Sequence, residues 1–248
     1  MSYLEFHLYL ILPPILLMAV SLPQTLYQIG GKRAQWALPL IAVVAFSYTT
    51  PWDNYLVANN VWWYGENRVL ATIGYVPIEE YLFFVLQPIL TGLFLFHVLS
   101  RWKPPPQPTS SASVWGGFLT FITLSIAGLG LLLSDWSQGL YMGLVLFWAS
   151  PLLAGMWLYD GQTLWAHRRT LTLAVGVPTL YLWVGDATAI GAGIWTISSE
   201  FTMGLSPFGL PIEEATFFLV TNLLVVKGIL LLLYGSHEAV SPQTSSPE

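Results

Sequence analysis

The chain has 248 residues, of which 55% are hydrophobic and only 8% are charged, and its net charge is −5. Soluble domains carry about a quarter charged residues, so this composition indicates an integral membrane protein and argues against an ordinary cytosolic enzyme. The excess of acidic residues offers no basic surface for nucleic acid. The chain has no cysteine, which excludes disulfides, thiolate metal sites and a cysteine nucleophile.

Seven stretches approach or reach the roughly 20 apolar residues that a helix needs to cross a bilayer. In chain order they are Leu4–Leu22, Ala34–Thr50, Pro77–Ser100, Val114–Ser134, Gly139–Tyr159, Thr170–Gly185 and Pro211–Tyr234. No basic segment precedes the first stretch, so we expect a retained span and not a removable signal peptide. The sequence therefore predicts an all-α integral membrane protein with seven transmembrane helices.

The basic residues predict the orientation of these spans. Three pairs follow the first, third and fifth spans: Lys32 and Arg33, Arg101 and Lys103, and Arg168 and Arg169. These three loops lie on one face of a seven-span bundle. Because basic loops favour the cytoplasmic side, we expect the N-terminus outside and the C-terminus inside, in a multi-pass membrane protein (of the cell membrane if the source is bacterial).

A sequence repeat relates two distant parts of the chain. PIEEYLFF at Pro77–Phe84 returns as PIEEATFF at Pro211–Phe218. A spacing of nine residues separates two upstream Asp–Trp pairs: Asp53 and Trp62, and Asp186 and Trp195. An even number of spans lies between equivalent positions, so we expect two three-helix repeats of the same orientation, joined by an extra helix.

These boundaries divide the chain into four parts. We expect a first repeat of three spans at residues 1–100 and a second repeat of three spans at residues 139–234. Residues 101–138 hold a proline- and serine-rich linker, Arg101–Ser113, and the connecting span. Residues 235–248 are predicted to form a disordered tail.

Two interpretations of the Pro-Ile-Glu-Glu motif compete. Proline followed by acidic residues is favoured at any helix N-terminus, where the helix dipole attracts negative charge. Acidic residues at membrane depth are costly, however, and usually serve a function. Two matched copies, each opening a membrane helix and each accompanied by an upstream aspartate, favour the functional interpretation.

Helix geometry restricts how the two glutamates of a motif point. Adjacent residues are about 100° apart around an α-helix, so Glu79 shares a stripe with Phe83, and Glu80 with Phe84 and Gln87. One acid of each pair can therefore face the bundle. The sequence leaves open which of the two does so. Carboxyl groups held together in apolar surroundings differ in proton affinity, as a general acid and a general base require.

Aromatic residues surround both motifs. They form either an interfacial belt or an electron-rich cage that stabilises a carbocation by cation–π attraction. Six of them are candidate substrate-binding residues: Trp62, Trp63, Tyr81, Phe84, Trp195 and Phe218. With no complete dinucleotide motif and only scattered histidines, we expect neither a cofactor nor a metal.

The motif set resembles the small integral-membrane lycopene cyclases, which occur fused in fungi and as two subunits or one chain in bacteria and archaea. The resemblance runs through five segments: Met1–Pro13, Pro51–Val57, Ile73–Phe84, Tyr181–Asp186 and Pro211–Val226. It implies a redox-neutral reaction in which an acid protonates the terminal double bond of lycopene. The neighbouring alkene then attacks the cation, and a base removes a ring proton to leave a β-ionone ring.

The Pro-x-Glu-Glu/Asp motif of that family maps onto both Pro-Ile-Glu-Glu copies. The resemblance therefore implies six catalytic candidates, the last two as supporting acids: Glu79, Glu80, Glu213, Glu214, Asp53 and Asp186. The partners implied are lycopene or a related acyclic carotenoid, taken from the lipid phase, and the bilayer itself. A homo-oligomer stays an open alternative, as do one-end or two-end cyclisation and the ring type.

Two other functions compete with the cyclase. Seven spans with Lys227 in the last one also suit a retinal-binding photoreceptor or pump, whose lysine forms a Schiff base. For Lys227 we favour a side chain that snorkels to the cytoplasmic interface or makes a polar contact in the bundle. A proton-coupled transporter is the third class, although parallel repeats and an apolar interior argue against it.

Overall fold

The structure is a computed structural model that describes residues 1–102 and 111–235. Seven helices account for most of these residues. They are α1 (Tyr3–Ser21, with a π-helical turn at His7–Ile11), α2 (Leu26–Ala58), α3 (Ile78–Arg101), α4 (Ser111–Leu132), α5 (Leu140–Ala166), α6 (Arg168–Gly191) and α7 (Ile212–Tyr234). The predicted linker and tail fall largely on residues 103–110 and 236–248, which lie outside the described ranges.

Six of the helices in the described residues, α1 and α3–α7, are long and apolar enough to cross a membrane. The helix that contains the predicted second span, α2, is not one of them. It runs well past that span at both ends, so it takes in Lys32, Arg33 and Asp53, and its backbone breaks from helical geometry at Gly30 and Gly31. The architecture is that of an α-helical membrane protein.

Four short strands accompany the helices in the described residues, and none of them is predicted from the sequence. β1 (Trp62–Tyr64) follows α2, β4 (Trp195–Ile197) follows α6, and the two pair antiparallel with Tyr64 opposite Trp195. β2 (Thr72–Ile73) and β3 (Val76–Pro77) form a hairpin before α3. The β1–β4 ribbon thus joins the two tryptophan-bearing loops, which lie far apart in sequence.

A glycine shapes the hairpin turn. Gly74 has φ +67°, a conformation that L-residues with a side chain rarely adopt, and a Cβ there would lie 2.6 Å from Oδ1 of Asn54. The same Asn54 oxygen accepts a hydrogen bond from the backbone N–H of Tyr75 at 3.0 Å. The turn is therefore held against the end of α2.

The centre of the bundle consists of α3 and α7, the helices that carry the repeated motif. Each starts directly after a proline in extended conformation, Pro77 or Pro211. α3 packs against α1, α2, α6 and α7, and α7 also packs against α2, α5 and α6. α4 lies at the periphery against α5, where a Cβ on Gly128 would lie 3.0 Å from the carbonyl oxygen of Gly143. Small residues allow this close helix approach.

A buried hydrogen-bond network joins α3, α6 and α7. Oδ1 of Asn222 accepts from Nε2 of Gln87 at 2.5 Å and from Oγ1 of Thr91 at 2.6 Å. Nδ2 of Asn222 donates to Oγ1 of Thr179 at 2.9 Å. Because these bonds connect three helices in an apolar interior, they fix the position of α3 relative to α7 along the helix axes.

Candidate active site

A small cavity lies between the first turns of α3 and α7 and the β1–β4 ribbon, and its volume is about 40 Å³. Six helices and both strands of the ribbon contribute to its wall. The lining residues are Tyr3, Phe6, Asp53, Trp62, Tyr64, Glu80, Phe83, Tyr141, Leu182, Asp186, Trp195, Ile197, Glu214, Phe217 and Phe218. We call it the carboxyl cavity, because four acidic side chains meet there.

The four acids of the carboxyl cavity are Asp53, Glu80, Asp186 and Glu214, and the described lining contains no basic residue. Asp53 and Asp186 occupy matching places, each five residues before the end of its helix. A buried site without a cation cannot hold four ionised carboxylates, because each charge is costly there and the charges repel one another. Protons must therefore be present in the cluster, and a carboxyl group that carries a proton is a candidate acid for acid–base catalysis.

Two tyrosines from different elements bind Glu80. Oε2 of Glu80 accepts hydrogen bonds from the hydroxyl groups of Tyr3 at 2.6 Å and Tyr64 at 3.2 Å. Burial, followed by the nearby carboxyl groups of Glu80 and Asp53, raises the pKa of the Tyr64 phenol well above its usual value. Tyr64 is therefore a neutral phenol that donates a hydrogen bond to Glu80.

The two acids from the second part of the chain accept one hydrogen bond each. Oε1 of Glu214 accepts from the hydroxyl of Tyr141 at 2.7 Å, and Oδ1 of Asp186 accepts from the indole N–H of Trp195 at 2.9 Å. Oδ2 of Asp53 and Oδ2 of Asp186 are buried without a hydrogen-bond partner among the described residues. Each aspartate thus keeps one oxygen available for a proton.

The first glutamate of each motif does not line the carboxyl cavity. Oε1 of Glu79 accepts from the backbone N–H of Leu70 at 2.8 Å, and Oε1 of Glu213 accepts from that of Met203 at the same distance. Neighbouring helix residues are rotated by about 100°, so the two glutamates of each motif point in different directions. Glu79 and Glu213 hold the loops that precede α3 and α7, whereas Glu80 and Glu214 face the cavity.

The tryptophans divide according to strand geometry. Trp62 and Trp195 line the cavity, each as the first residue of its strand. Trp63 is 44% exposed and lies outside the cavity, because successive side chains of a strand point to opposite faces. Of the candidate tryptophans, the cavity wall thus includes one from each strand.

The other candidate aromatic residues lie at different places. Phe218 lines the carboxyl cavity, and Phe84 lines a neighbouring apolar cavity. The hydroxyl of Tyr81 donates to the carbonyl oxygen of Ile73 at 2.8 Å and accepts from Nδ2 of Asn54 at 2.9 Å. Tyr81 therefore stabilises the β2–β3 hairpin from outside the cavity.

Tyr64 is absent from the six aromatic candidates, and so are two further hydrogen-bond donors of the cavity, Tyr3 and Tyr141. Tyr3 and Tyr141 lie near the starts of the first and fifth spans, which correspond if the repeat is extended backward. A comparison of those two spans would have found them. Phe6, Leu182 and Phe217, which also line the cavity, carry no signal of this kind because apolar residues are common throughout the chain.

A larger apolar cavity of about 240 Å³ adjoins the carboxyl cavity. Its lining comes from four helices: Ile41, Val44, Ala45, Tyr48 and Thr49 of α2, Phe83, Phe84 and Gln87 of α3, Trp148, Leu152 and Met156 of α5, and Phe217, Thr221, Leu224 and Val225 of α7. Phe83 and Phe217 line both cavities. Their rings therefore separate the acids from the apolar space.

Lys227 does not snorkel to the membrane interface, which corrects that expectation. Its side chain is 1% exposed, and Nζ lies 3.9 Å from the ring centre of Phe121 and 5.3 Å from that of Trp157. Nζ has no hydrogen-bond partner among the described residues. Contact with the faces of aromatic rings is the favourable interaction available to it there, and Lys227 is not part of the carboxyl cavity.

Known proteins similar to the chain include a protein named lycopene β-cyclase from Halobacterium salinarum. It is 40% identical over 230 residues, which cover 93% of this chain and 95% of that protein. A bifunctional lycopene cyclase/phytoene synthase from Gibberella fujikuroi is 37% identical over 92% of this chain, which spans 40% of that relative. A protein of the same name from Arthroderma gypseum is 33% identical over 92% of this chain. No family model and no solved structure matches.

Proposed function

The chain belongs to the lycopene β-cyclase family, and we propose that it closes the acyclic ends of lycopene into β-ionone rings at the carboxyl cavity. The observation that carries this proposal is the convergence of Asp53, Glu80, Asp186 and Glu214 on one buried cavity with aromatic walls. Cyclisation needs one group that gives a proton and one that takes a proton. It also needs a surrounding that stabilises a carbocation without adding water to it.

The reaction proceeds in three steps and changes no oxidation state. A cavity acid adds a proton to the terminal double bond, which leaves a tertiary carbocation. The neighbouring alkene attacks that centre, so the ring closes and the positive charge moves to a ring carbon. A cavity carboxylate then removes a ring proton and leaves a double bond, which makes the product an isomer of the substrate.

The aromatic lining stabilises the cationic intermediates. Trp62, Trp195 and Phe218 present ring surfaces to the cavity, and a cation over an aromatic face gains about 0.5–2 kcal/mol. The carboxylates add electrostatic stabilisation in a site of low polarity. Because the cavity is small, bulk water that would capture the cation is excluded.

We propose that the substrate reaches the acids laterally from the lipid phase through the apolar cavity. A carotenoid dissolves in the bilayer, and an apolar cavity next to the acids suits its chain. Val44 of α2 and Leu152 of α5 line this cavity and are also about half exposed. The end group enters the carboxyl cavity when Phe83 and Phe217 turn aside.

A bulky residue in the apolar cavity tests this route. We expect Leu152→Trp to reduce cyclisation by about tenfold, because the added volume competes with the polyene chain. Leu158→Trp is the matched control, since Leu158 is exposed on the same helix and lies outside the cavity lining. Equal product yields from the two variants in membranes would exclude this route.

We further propose a multi-pass topology of seven spans with the N-terminus outside. In this topology α2 crosses the membrane in addition to the six apolar helices α1 and α3–α7. The two Pro-Ile-Glu-Glu motifs then lie toward the outer face, in repeats at residues 1–100 and 139–234 that run in the same direction. The basic loops support this orientation. Labelling of single cysteines, introduced into the cysteine-free chain, reads out the side on which each loop lies.

A retinal protein is the weaker alternative. A Schiff-base lysine needs a counter-ion and space for the chromophore, whereas Lys227 lies against Phe121 and Trp157 and does not line the cavity that holds the acids. A retinal-dependent visible absorption band that disappears in Lys227→Ala would reverse this ranking.

Pigment chromatography of cells that accumulate lycopene tests the proposed function directly. Expression of the chain is expected to convert lycopene into γ-carotene or β-carotene, and their ratio shows whether one end or both ends are closed. The double variant Glu80→Gln/Glu214→Gln is the matched control for expression and membrane insertion. Unchanged lycopene beside well-inserted wild-type protein would contradict the proposal.

A further inference from the structure

The repeated motifs differ at one position inside the carboxyl cavity. After the shared tryptophan, the first strand continues Trp63-Tyr64 and the second continues Thr196-Ile197. Tyr64 and Ile197 therefore occupy the same place in their strands, and both line the cavity. A phenol in one part of the chain thus corresponds to an alkyl group in the other.

This difference changes the hydrogen bonds of the two equivalent glutamates. Glu80 accepts two phenolic hydrogen bonds on one oxygen, from Tyr3 and Tyr64. Glu214 accepts one, from Tyr141. The bonds from Tyr3 and Tyr141 are alike, at 2.6 Å and 2.7 Å, so the bond from Tyr64 is the difference between the two glutamates.

A hydrogen bond donated to a carboxylate stabilises its charged form and is stronger than a bond between neutral groups. Among carboxyl groups that share protons in one cavity, the negative charge settles where the donors are most numerous. Glu80 has the additional donor, whereas Ile197 offers Glu214 none. The tyrosine thus separates two glutamates that the repeated motif would otherwise make alike.

We propose that Tyr64 makes the carboxyl cavity directional: Glu214 is the acid that protonates the terminal alkene, and Glu80 is the carboxylate that removes the ring proton. This inference rests on the proposed function and assigns roles within it. Tyr64 is a positioning residue, because it acts on the substrate only through Glu80.

The proton balance closes within the cavity. The O–H bond of Glu214 breaks as a C–H bond forms on the terminal alkene, and ring closure forms one C–C bond. A ring C–H bond then breaks and its proton goes to Glu80, while the electron pair becomes the ring double bond. Transfer of a proton from Glu80 to Glu214 resets the site, and the carboxyl protons exchange with water between turnovers. The unpartnered Oδ2 atoms of Asp53 and Asp186 are available to relay it.

Deuterium labelling of full-length protein in membranes that contain lycopene distinguishes the two glutamates. In D₂O the wild-type product gains one deuterium for each ring closed. Glu80→Gln retains the acid, so its carotenoid pool gains deuterium in recovered lycopene or in rings of another type. Glu214→Gln lacks the acid, so its carotenoid pool stays unlabelled.

Each other result has a defined meaning. Labelling in Glu214→Gln alone, in both variants or in neither would overturn the role assignment while leaving wild-type cyclisation intact. A wild-type protein that forms no ring would instead contradict the proposed function. Membrane-inserted protein is quantified for every variant, so a failure to fold is distinguished from a loss of proton transfer.

The pH dependence of cyclisation gives a second, milder test. Groups facing Glu80 and Glu214 from the surrounding elements are Tyr3, Asp53, Tyr64, Tyr141 and Asp186. In Tyr64→Phe the base loses a donor and holds its proton more tightly, so the acidic limb of the rate profile moves to higher pH by about one unit. The alkaline limb, which reports the acid, is expected to stay in place.

Two further variants frame this result. Ile197→Tyr adds the missing phenol beside Glu214, and its alkaline limb is expected to move to lower pH. Tyr75→Phe is the matched control, because Tyr75 is exposed on the hairpin turn, and its profile is expected to equal that of the wild type. Movement of the alkaline limb in Tyr64→Phe, or of neither limb, would overturn the role of Tyr64.

Discussion

The parts of the chain that carry the two motifs, residues 1–100 and 139–234, present the same pair of acids to one cavity but surround them differently. In both parts the first glutamate holds a loop backbone and the second faces the cavity. In the first part the facing glutamate has two phenolic donors, and in the second part it has one. The shared motif thus sets where the acids lie, whereas residues that differ between the copies set which hydrogen bonds each acid accepts.

The largest expected effect separates the two glutamates within each motif. Glu80→Gln and Glu214→Gln should each reduce β-ring formation by at least about 100-fold, because each removes a proton-transfer group. Glu79→Gln and Glu213→Gln should retain most activity, because an amide oxygen still accepts the backbone N–H of the loop. Chromatography of products per amount of inserted protein measures this, and equal losses in all four variants would break the distinction.

A smaller effect is expected at the tryptophan of the second motif. Trp195→Phe removes the hydrogen bond that orients Asp186, so turnover should fall by about tenfold, as a bond to an acidic group is worth about 1.5–3 kcal/mol. Trp115→Phe, on the exposed side of α4, is the control for loss of an indole. Unchanged turnover in Trp195→Phe would show that the orientation of Asp186 is unimportant.

The hydrogen-bond network between α3, α6 and α7 connects the two parts of the chain, so its loss is expected to lower the stability of the protein. Asn222→Leu leaves Gln87, Thr91 and Thr179 without their shared partner, and each buried unpaired polar group costs about 1–3 kcal/mol. We expect a lower melting temperature in detergent. Thr172→Ala is the control, because it loses only an exposed hydrogen bond to the carbonyl oxygen of Arg168 in the same helix. This variant should melt like the wild type. An unchanged melting temperature in Asn222→Leu would mean that the network does not couple the two parts.

The smallest expected effect is on the stability of the folded protein at alkaline pH, and it arises from Tyr64, which the second part of the chain replaces with Ile197. The pKa of Tyr64 is raised in the folded protein, so the unfolded chain loses this proton first as pH rises above about 10. Stability associated with the neutral phenol is therefore present below pH ~10 and lost above it, by at most about 1.4 kcal/mol per pH unit. Tyr64→Phe should flatten this decline in melting temperature between about pH 9 and 11. Equal slopes for the variant and the wild type would contradict it.

Much of the helical framework could be predicted from the sequence. The predicted first, third and seventh spans agree with α1, α3 and α7 to within one residue at each end, because long apolar stretches and starting prolines mark these boundaries clearly. α2 and α6 extend beyond their predicted spans, since polar residues such as Asp53 continue a helix that packs against its neighbours. The strands were not predicted, because three-residue segments carry too little pattern and owe their pairing to each other.

The candidate site shows the same limit. The repeated motif and the two Asp–Trp pairs identified all four acids of the cavity, because acidic residues are rare in an apolar chain and two matched copies are improbable by chance. Pattern alone could not decide which glutamate of each pair faces inward, since both rotations satisfy a helix N-terminus. Nor could it assign partners to Tyr3 and Tyr141, because their hydrogen bonds to Glu80 and Glu214 depend on distant helices coming together.

The membrane class of this protein, the positions of most of its helices and the set of acids that belong together can be read from the amino-acid sequence, because composition and periodicity are local properties of the chain. That Glu80 and Glu214 share one cavity, and that Tyr64 and Ile197 both line it, follows from the tertiary structure alone. It also decided that Lys227 is buried among aromatic rings. Such contacts join residues far apart in sequence, and packing, not any local pattern, brings them within hydrogen-bonding distance.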